Sequence, residues 1–437
     1  MLRSLLLSCT VGLLTPCLAP SSRLAAQYPA LDSATAARDA WRLAVPLVRR
    51  KEWSAARDQV RRAVAAWPQQ QFYIGAYASL SARLSDTAET IRALTQLADL
   101  GLSLDVAADS DFALVRDAPA LRPVLHRLAA NAAPAQRSTV AATLPQDDFY
   151  PEGISHDPAR GVWYLASVRH RKVTRLTRNG VAENLIKEGQ DSLWAVLGVR
   201  ADPSTGTLWV TSAAIPQMIG YLPSDQGRSG IFAFDLATGR LKARYLLPAS
   251  TTGHLLGDLV VAPNGDVYAT DSQDPAIWRV LKGSGQVQEF LRHPLFRSLQ
   301  GPVVDPSGRT LYVADYSLGV LAVDLNTREV TALPAPPRST GLGIDGLAWY
   351  QGGLIGVQNG VTPARIVRIT LDPGGRRISA IDLLDHHALA TEPTIGTVWG
   401  KSFFYVANSQ WDEYDDAGHL KPGAKLERPR ILEIKLP

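Results

Sequence analysis

One motif returns six times in this chain. It reads "EGISHDPARGVWYLAS" from Glu152, "LGVRADPSTGTLWVTS" from Leu197 and "GDLVVAPNGDVYATDS" from Gly257. It comes again as "QGPVVDPSGRTLYVADY" from Gln300, "DGLAWYQGGLIGVQNG" from Asp345 and "IGTVWGKSFFYVANS" from Ile395. Each copy is a short strand, a tight turn and a second strand ending in small polar residues. The copies lie 43 to 60 residues apart, with further strand pairs such as "GVLAVDLNTREVTAL" between them. A four-stranded unit repeated at this period predicts an all-β six-bladed β-propeller over residues 138–437. In this setting the "DPSG" turns are structural, because proline and glycine serve the turn dihedrals.

Closing such a ring must leave no long sheet edge open. The last copy ends at "RILEIKL" with no fourth strand after it, and "STVAATL" (138–144) precedes the first inner strand with no earlier partner. The early segment is therefore expected to pair beside the C-terminal strand. In each blade the residue before the inner strand and the residues after its return strand meet on one face, around the channel. The pre-strand set is Glu152, Leu197, Gly257, Gln300, Asp345 and Ile395, and the returning ends are Ser167, Ser212, Asp271, Asp315, Asn359 and Asn408.

The first part of the chain has a different period. Residues 33–131 are alanine-rich and helical, and the small all-α module they form resembles tetratricopeptide units loosely. In "DTAETIRALTQLADLG", Asp86 caps a helix, Ile91, Leu94, Leu97 and Ala98 form one face, and Gly101 stops it. A second face runs through Trp41, Leu43, Ala44, Leu47 and Val48. The module reads either as a helical cap or as a groove for a protein partner. Residues 1–26 read as a cleaved signal peptide, which implies a secreted or periplasmic protein. Both cysteines, Cys9 and Cys17, fall inside it, so neither a disulfide framework nor a thiolate metal site is expected in the mature chain. The formal charge of +4 is not gathered in Lys/Arg blocks, which argues against nucleic acid as a partner. No later segment is long and apolar enough for a membrane span.

Three pre-strand positions, Glu152, Gln300 and Asp345, carry oxygen ligands suited to a hard divalent cation, calcium ahead of zinc. Without a cation, mutual repulsion would raise at least one carboxyl pKa. The other reading keeps these residues apart and solvated. Asp258 stands where the other copies carry glycine. His254, just before the third inner strand, is a candidate acid or base, although a loop histidine more often only hydrogen-bonds. Trp194 and Trp411 belong near the same face and could stack on a ring-shaped ligand, with Asn359 and Asn408 beside them. The acidic loop "QWDEYDDAGHL" (410–420) reads as a solvated lid over that face, and His386 and His387 read as surface. No nucleophile elbow, phosphate loop or dinucleotide fingerprint is present.

"PEGI" in the first blade, with the third, fourth and fifth copies quoted above, resembles the regucalcin and gluconolactonase family and, more distantly, the paraoxonases, over roughly Asp147 to Pro437. The resemblance implies a six-bladed propeller that hydrolyses lactones or esters with a divalent metal at the channel mouth. It implies that Glu152, Gln300 and Asp345 hold the metal, and that Asp345 also takes a proton-transfer role. The family's third-blade Asn-Asp pair maps to Gly257 and Asp258, which keeps only the aspartate. Gln300 stands for an asparagine, and the paraoxonase histidine of the second blade maps to Leu197. These departures leave open a non-catalytic propeller that binds a small molecule at its channel mouth while the helical module recruits a partner.

Overall fold

The computed structural model describes residues 29–437, so the expected signal peptide lies outside the described residues. The chain divides into two compact units.

The larger unit is a propeller of six four-stranded antiparallel sheets. Its innermost strands are Pro151–Asp157, Ala195–Asp202, Leu256–Val261, Leu299–Val304, Ile344–Tyr350 and Gly396–Trp399. Each packs against the next, and the last returns to the first, so the six surround a channel. The second strands, such as Val162–Ser167 and Gly353–Gln358, are buried along their whole length. They lie between neighbouring sheets, which explains their continuous apolar runs. The turns serve geometry, as the sequence predicts: Asp305 Oδ1 accepts from Arg309 N (2.9 Å) and Thr310 N (3.2 Å), and Gly308 supplies a φ of +71°.

The ring closes as the edge argument requires. Thr139–Thr143 pairs antiparallel with Arg430–Lys435, with Val140 opposite Leu432, and completes the sheet begun by Gly396–Trp399. Asp385 fixes the entry to this strand, accepting from Arg137 N at 2.7 Å and Ser138 N at 3.2 Å.

The smaller unit holds five α-helices among the described residues: α1 (Pro29–Arg49), α2 (Trp53–Ala66), α3 (Gln71–Arg83), α4 (Thr87–Asp99) and α5 (Arg122–Ala132). It starts four residues earlier than the sequence period predicts. The cap on α4 forms, with Asp86 Oδ1 accepting from Glu89 N at 3.1 Å. Leu94, Leu97 and Ala98 are buried as expected, whereas Leu43, assigned above to the core face of α1, is 57% exposed. It sits one position before Ala44, the residue that α1 does turn inward. Helix α3 escapes the periodicity reading because nine successive residues, Ile74 to Ala82, are all buried, which leaves no polar face to mark the period. This unit also takes in residues 334–342 and 361–363. Val361 joins its core, and Ser103 N and Gln71 Oε1 bond to the Thr362 backbone at 2.7 and 2.8 Å. No helix among the described residues is long and apolar enough to cross a membrane.

Candidate functional site

The site is built on bulges. In blades one to five the pairing of the inner strand with its neighbour slips between Pro151 and Ile154, Val196 and Val199, Leu256 and Leu259, Leu299 and Pro302, and Ile344 and Gly346. Every one of the first five pre-strand residues lies inside such a slip. A bulge re-aims side chains that regular alternation would direct elsewhere, and here it does so at the same level in five blades.

A glycine follows the pre-strand residue in every blade but the third: Gly153, Gly198, Gly301, Gly346 and Gly396. Inner strands approach so closely that a Cβ on Gly301 would sit 2.9 Å from Gly346 Cα, and one on Gly198 would sit 2.8 Å from Asp258 Cα. Glycine is therefore a packing requirement, and Asp258 is the exception whose side chain is accommodated against Gly198. Threonine hydroxyls pin the same level from blade to blade. Thr211 Oγ1 donates to Gly257 O (3.2 Å), Thr270 Oγ1 to Gln300 O (2.9 Å) and Thr394 Oγ1 to Glu152 O (2.8 Å).

On this frame Glu152 and Asp345, 9% and 8% exposed, are brought into mutual electrostatic reach. Burial, followed by the charge of Asp345, pushes the Glu152 carboxyl well above its ordinary range. Burial also pushes Asp345 up to about 7, against the hydrogen bond from Asn359 that favours its charged form. Trp411 Nε1 donates to Glu152 Oε2 at 2.7 Å. Asn359 Nδ2 donates to Asp345 Oδ2 at 2.9 Å and to Pro393 O at 2.9 Å, while its Oδ1 accepts from the Tyr316 hydroxyl at 3.0 Å. Asn359 thus reaches the pre-strand carboxylate from the returning strand, as the face argument predicts.

Asp258 is 2% exposed and paired with Arg200 Nη2 at 3.0 Å; burial raises its carboxyl, and Arg200 opposes that shift. Its Oδ1 is buried without a partner. Arg200 also donates to Leu259 O (3.0 Å) and Ile154 O (3.2 Å), so one side chain ties three blades. The cation beside Asp258 is therefore a side chain of the protein itself. Gln300 turns its amide nitrogen to Ser298 Oγ (3.3 Å). Its Oε1 lies 3.9 Å from where a Gly257 side chain would begin, and nothing else comes within 4 Å of that point. The position that carries asparagine in the resembled family is here open space.

Three expected site residues are engaged elsewhere. His254 bonds through both ring nitrogens, Nδ1 to Asp271 Oδ2 (2.6 Å) and Nε2 to Pro248 O (3.0 Å). Burial lowers its pKa, yet the bonds to Asp271 and Pro248 carry it above the ordinary value, and with both nitrogens engaged it has none free for base chemistry. Asn408 accepts from Arg430 N (2.9 Å) and donates to Arg428 O (3.3 Å), holding the approach to the C-terminal strand. Trp194 lines a cavity with residues of the outer strands of blade two.

Glu392, which the sequence reading does not single out, belongs with the site. Burial, then Asp412, pushes its carboxyl up to about 7, and it bridges to Asn408 through the backbone. Its signal in the sequence is an acidic residue in the loop before the sixth inner strand, displaced from the aligned pre-strand position. The 410–420 loop is anchored rather than free. Tyr414 stacks on Tyr150 with centroids 4.8 Å apart, Arg169 lies 5.2 Å from the Tyr414 ring, and Gln217 Nε2 donates to Asp415 O at 3.4 Å. Asp412 and Asp416 remain exposed.

The donor set is oxygen only. Among the described residues no three His, Cys, Asp or Glu side chains converge closely enough to hold a metal by themselves. A cation between Glu152 and Asp345 would have to complete its shell with the Gln300 amide and water, a composition that calcium accepts.

No family model matches the chain, and no curated protein matches it. Among solved structures, a gluconolactonase from Xanthomonas campestris is similar at 18% identity, covering 71% of this chain and 93% of its own, with a TM-score of 0.45. A regucalcin from Agrobacterium tumefaciens, described as calcium-binding, is similar at 17% identity over 68% of this chain and 98% of its own, with a TM-score of 0.45. A catalytically inactive virginiamycin B lyase from Staphylococcus aureus, solved with quinupristin, is similar at 13% identity over 69% of this chain and 98% of its own, with a TM-score of 0.46. Similarity at this level carries no statement about chemistry.

Proposed function

We propose that this propeller takes a small molecule at its channel mouth and hydrolyses a lactone or ester there with a divalent cation, calcium first, held by Glu152, Asp345 and the Gln300 amide. The observation that carries this reading is the burial of Glu152 and Asp345 on the bulged inner strands of blades one and five, within electrostatic reach of each other. Two carboxylates sharing a desolvated site cannot both ionise without a compensating charge, and Arg200 is committed to Asp258. When bound, a divalent cation polarises a carbonyl and lowers the pKa of water.

The chain's own groups divide the remaining work. Trp411 fixes the Glu152 carboxylate, and Tyr316, through Asn359, fixes that of Asp345. Gly257 leaves room for the substrate beside Gln300. Asp345 and Glu392, whose carboxyls burial raises to about 7 before any cation binds, would take a proton from the attacking water and return one to the leaving alkoxide. Secretion follows in this reading from residues 1–26, and the helical unit would recruit a protein partner.

Calcium and zinc titration calorimetry of the mature protein and of Glu152→Gln, followed by a lactone and ester screen with Asp345→Ala, tests the proposal. Stoichiometric binding lost in Glu152→Gln, with turnover abolished in Asp345→Ala, is expected. Turnover retained by Asp345→Ala would overturn the mechanism. The second reading, a ligand-binding propeller without catalysis, is favoured by the apolar Leu197 and the missing side chain at Gly257. It gains if the wild type binds metal and ligand but turns nothing over.

A further inference from the structure

A second cavity of about 460 Å³ opens on the channel-mouth face, at the junction of blades one and two. It is lined by Arg171 from the turn after the second strand of blade one, Trp194 from the approach to blade two, and Arg228, Phe232 and Arg244 from the outer half of blade two. Asp225 is the single acid on its wall. Its size falls in the range of small-molecule sites.

The charges are unbalanced, and two of the three arginines are held in place. Arg228 Nη1 pairs with Asp225 Oδ1 at 3.0 Å, and its guanidinium lies 5.1 Å from the Trp194 ring centroid, so this one pair is internally satisfied. Among the described residues, Arg171 and Arg244 have no acidic partner within ion-pair distance. Arg171 Nε is buried without a hydrogen-bond partner. The Arg171 guanidinium is wedged between two glycines: a Cβ on Gly189 would lie 2.5 Å from Nη2, and one on Gly220 would lie 3.8 Å from Nη1. Arg171 itself has a φ of +49°, a conformation that costs energy outside glycine and marks an over-determined position. Trp194, 8% exposed and partly covered by Arg228, supplies an aromatic edge beside these cations, with Phe232 buried behind it.

We propose that this cavity is a binding site, separate from the channel, for an organic anion, with Arg171 and Arg244 on a phosphate or carboxylate group and the Trp194 edge beside its apolar body. Guanidinium forks match both oxyanions, and the pre-positioning of Arg171 lowers the ordering cost of binding. Nothing in the channel chemistry uses these residues, so the site stands whether or not the channel is catalytic.

The test uses phenyl phosphate and benzoate as the two anionic probes and phenol as the neutral one, titrated calorimetrically into the mature full-length protein. At least one anion is expected to bind and phenol not to; the stronger of the two identifies the preferred group. Arg244→Gln alters an exposed strand residue and is expected to weaken binding by at least about tenfold, the loss of one charge-assisted hydrogen bond. Arg171→Gln is expected to do the same, with unchanged thermal unfolding in either variant certifying the fold. Asp345→Asn should leave the affinity unchanged, which separates this cavity from the channel. The proposal is overturned if neither anion binds, if both arginine variants keep wild-type affinity, or if Asp345→Asn abolishes binding.

Discussion

Arg200, on blade two, bonds to blades one and three through one guanidinium, and its partner Asp258 occupies a position that is glycine in the five other blades. The pair answers the oddity of Asp258 in the repeat: the aspartate neutralises an arginine that laces the ring. Arg200→Met should leave a buried unpaired carboxylate and lower stability by about 3–5 kcal/mol in urea unfolding. Adding Asp258→Gly should recover much of that loss, since the orphaned charge leaves with it. Asn359 works on Asp345 in a different way. Its hydrogen bond favours the charged carboxylate, so Asn359→Ala should move the Asp345 titration further above about 7, seen as an alkaline shift in its carboxyl NMR resonance or in the pH profile of any turnover. Asp258 was conspicuous in the sequence, but Arg200 was not, because an arginine on a strand gives no hint that it points inward. His254 illustrates the opposite case. Its place before an inner strand was legible, while its two hydrogen bonds depend on Asp271 and Pro248, which only the folded loop brings within reach.

The bulge is the element on which the site depends. Glu152, Gln300 and Asp345 lie where the inner strand slips against its neighbour, and the following glycine lets the next blade approach. Two alanine substitutions separate packing from site at this level. On Gly301 the new Cβ would meet Gly346 Cα at 2.9 Å and Asp345 O at 3.0 Å, both backbone atoms that cannot yield. Gly301→Ala should cost about 1–3 kcal/mol and displace Asp345. Gly257→Ala meets only Gln300 Oε1 at 3.9 Å and should change stability by no more than about 0.5 kcal/mol. Chemical denaturation of the two variants side by side checks the contrast. The inter-blade threonine bonds are weaker ties: Thr270→Val should cost about 1 kcal/mol by the same measurement. Hairpins and their turns were readable because proline, glycine and alternation mark them locally. The bulges were not, since a slip in pairing is a relation between two strands.

For the whole molecule the buried acids set a pH response. Burial pushes the Asp345 and Glu392 carboxyls up to about 7, from ordinary values of 3.8 and 4.5. A carboxyl raised by folding binds its proton more tightly in the native state, so its contribution is complete below about pH 4 and is lost as pH rises through about 7. In chelator, the melting temperature should fall between pH 5 and pH 8, and Asp345→Asn should flatten that fall. Calcium should raise the melting temperature at pH 8 and do little at pH 5, where protons already neutralise the site. A melting temperature that climbs across that range in chelator would remove the buried-acid account. The sequence by itself determined the six-fold repeat, the helical unit before it and the pairing of the first strand with the last, because each follows from local periodicity or from the need to leave no open edge. It also marked Glu152, Gln300 and Asp345 as candidates, through their common place in the repeat. Only the tertiary structure decided which of them share an environment, that Arg200 neutralises Asp258, that Glu392 joins the site, and that Trp194 lines a separate basic cavity. Those facts turn on burial and on side chains from different blades, and one-dimensional order records neither.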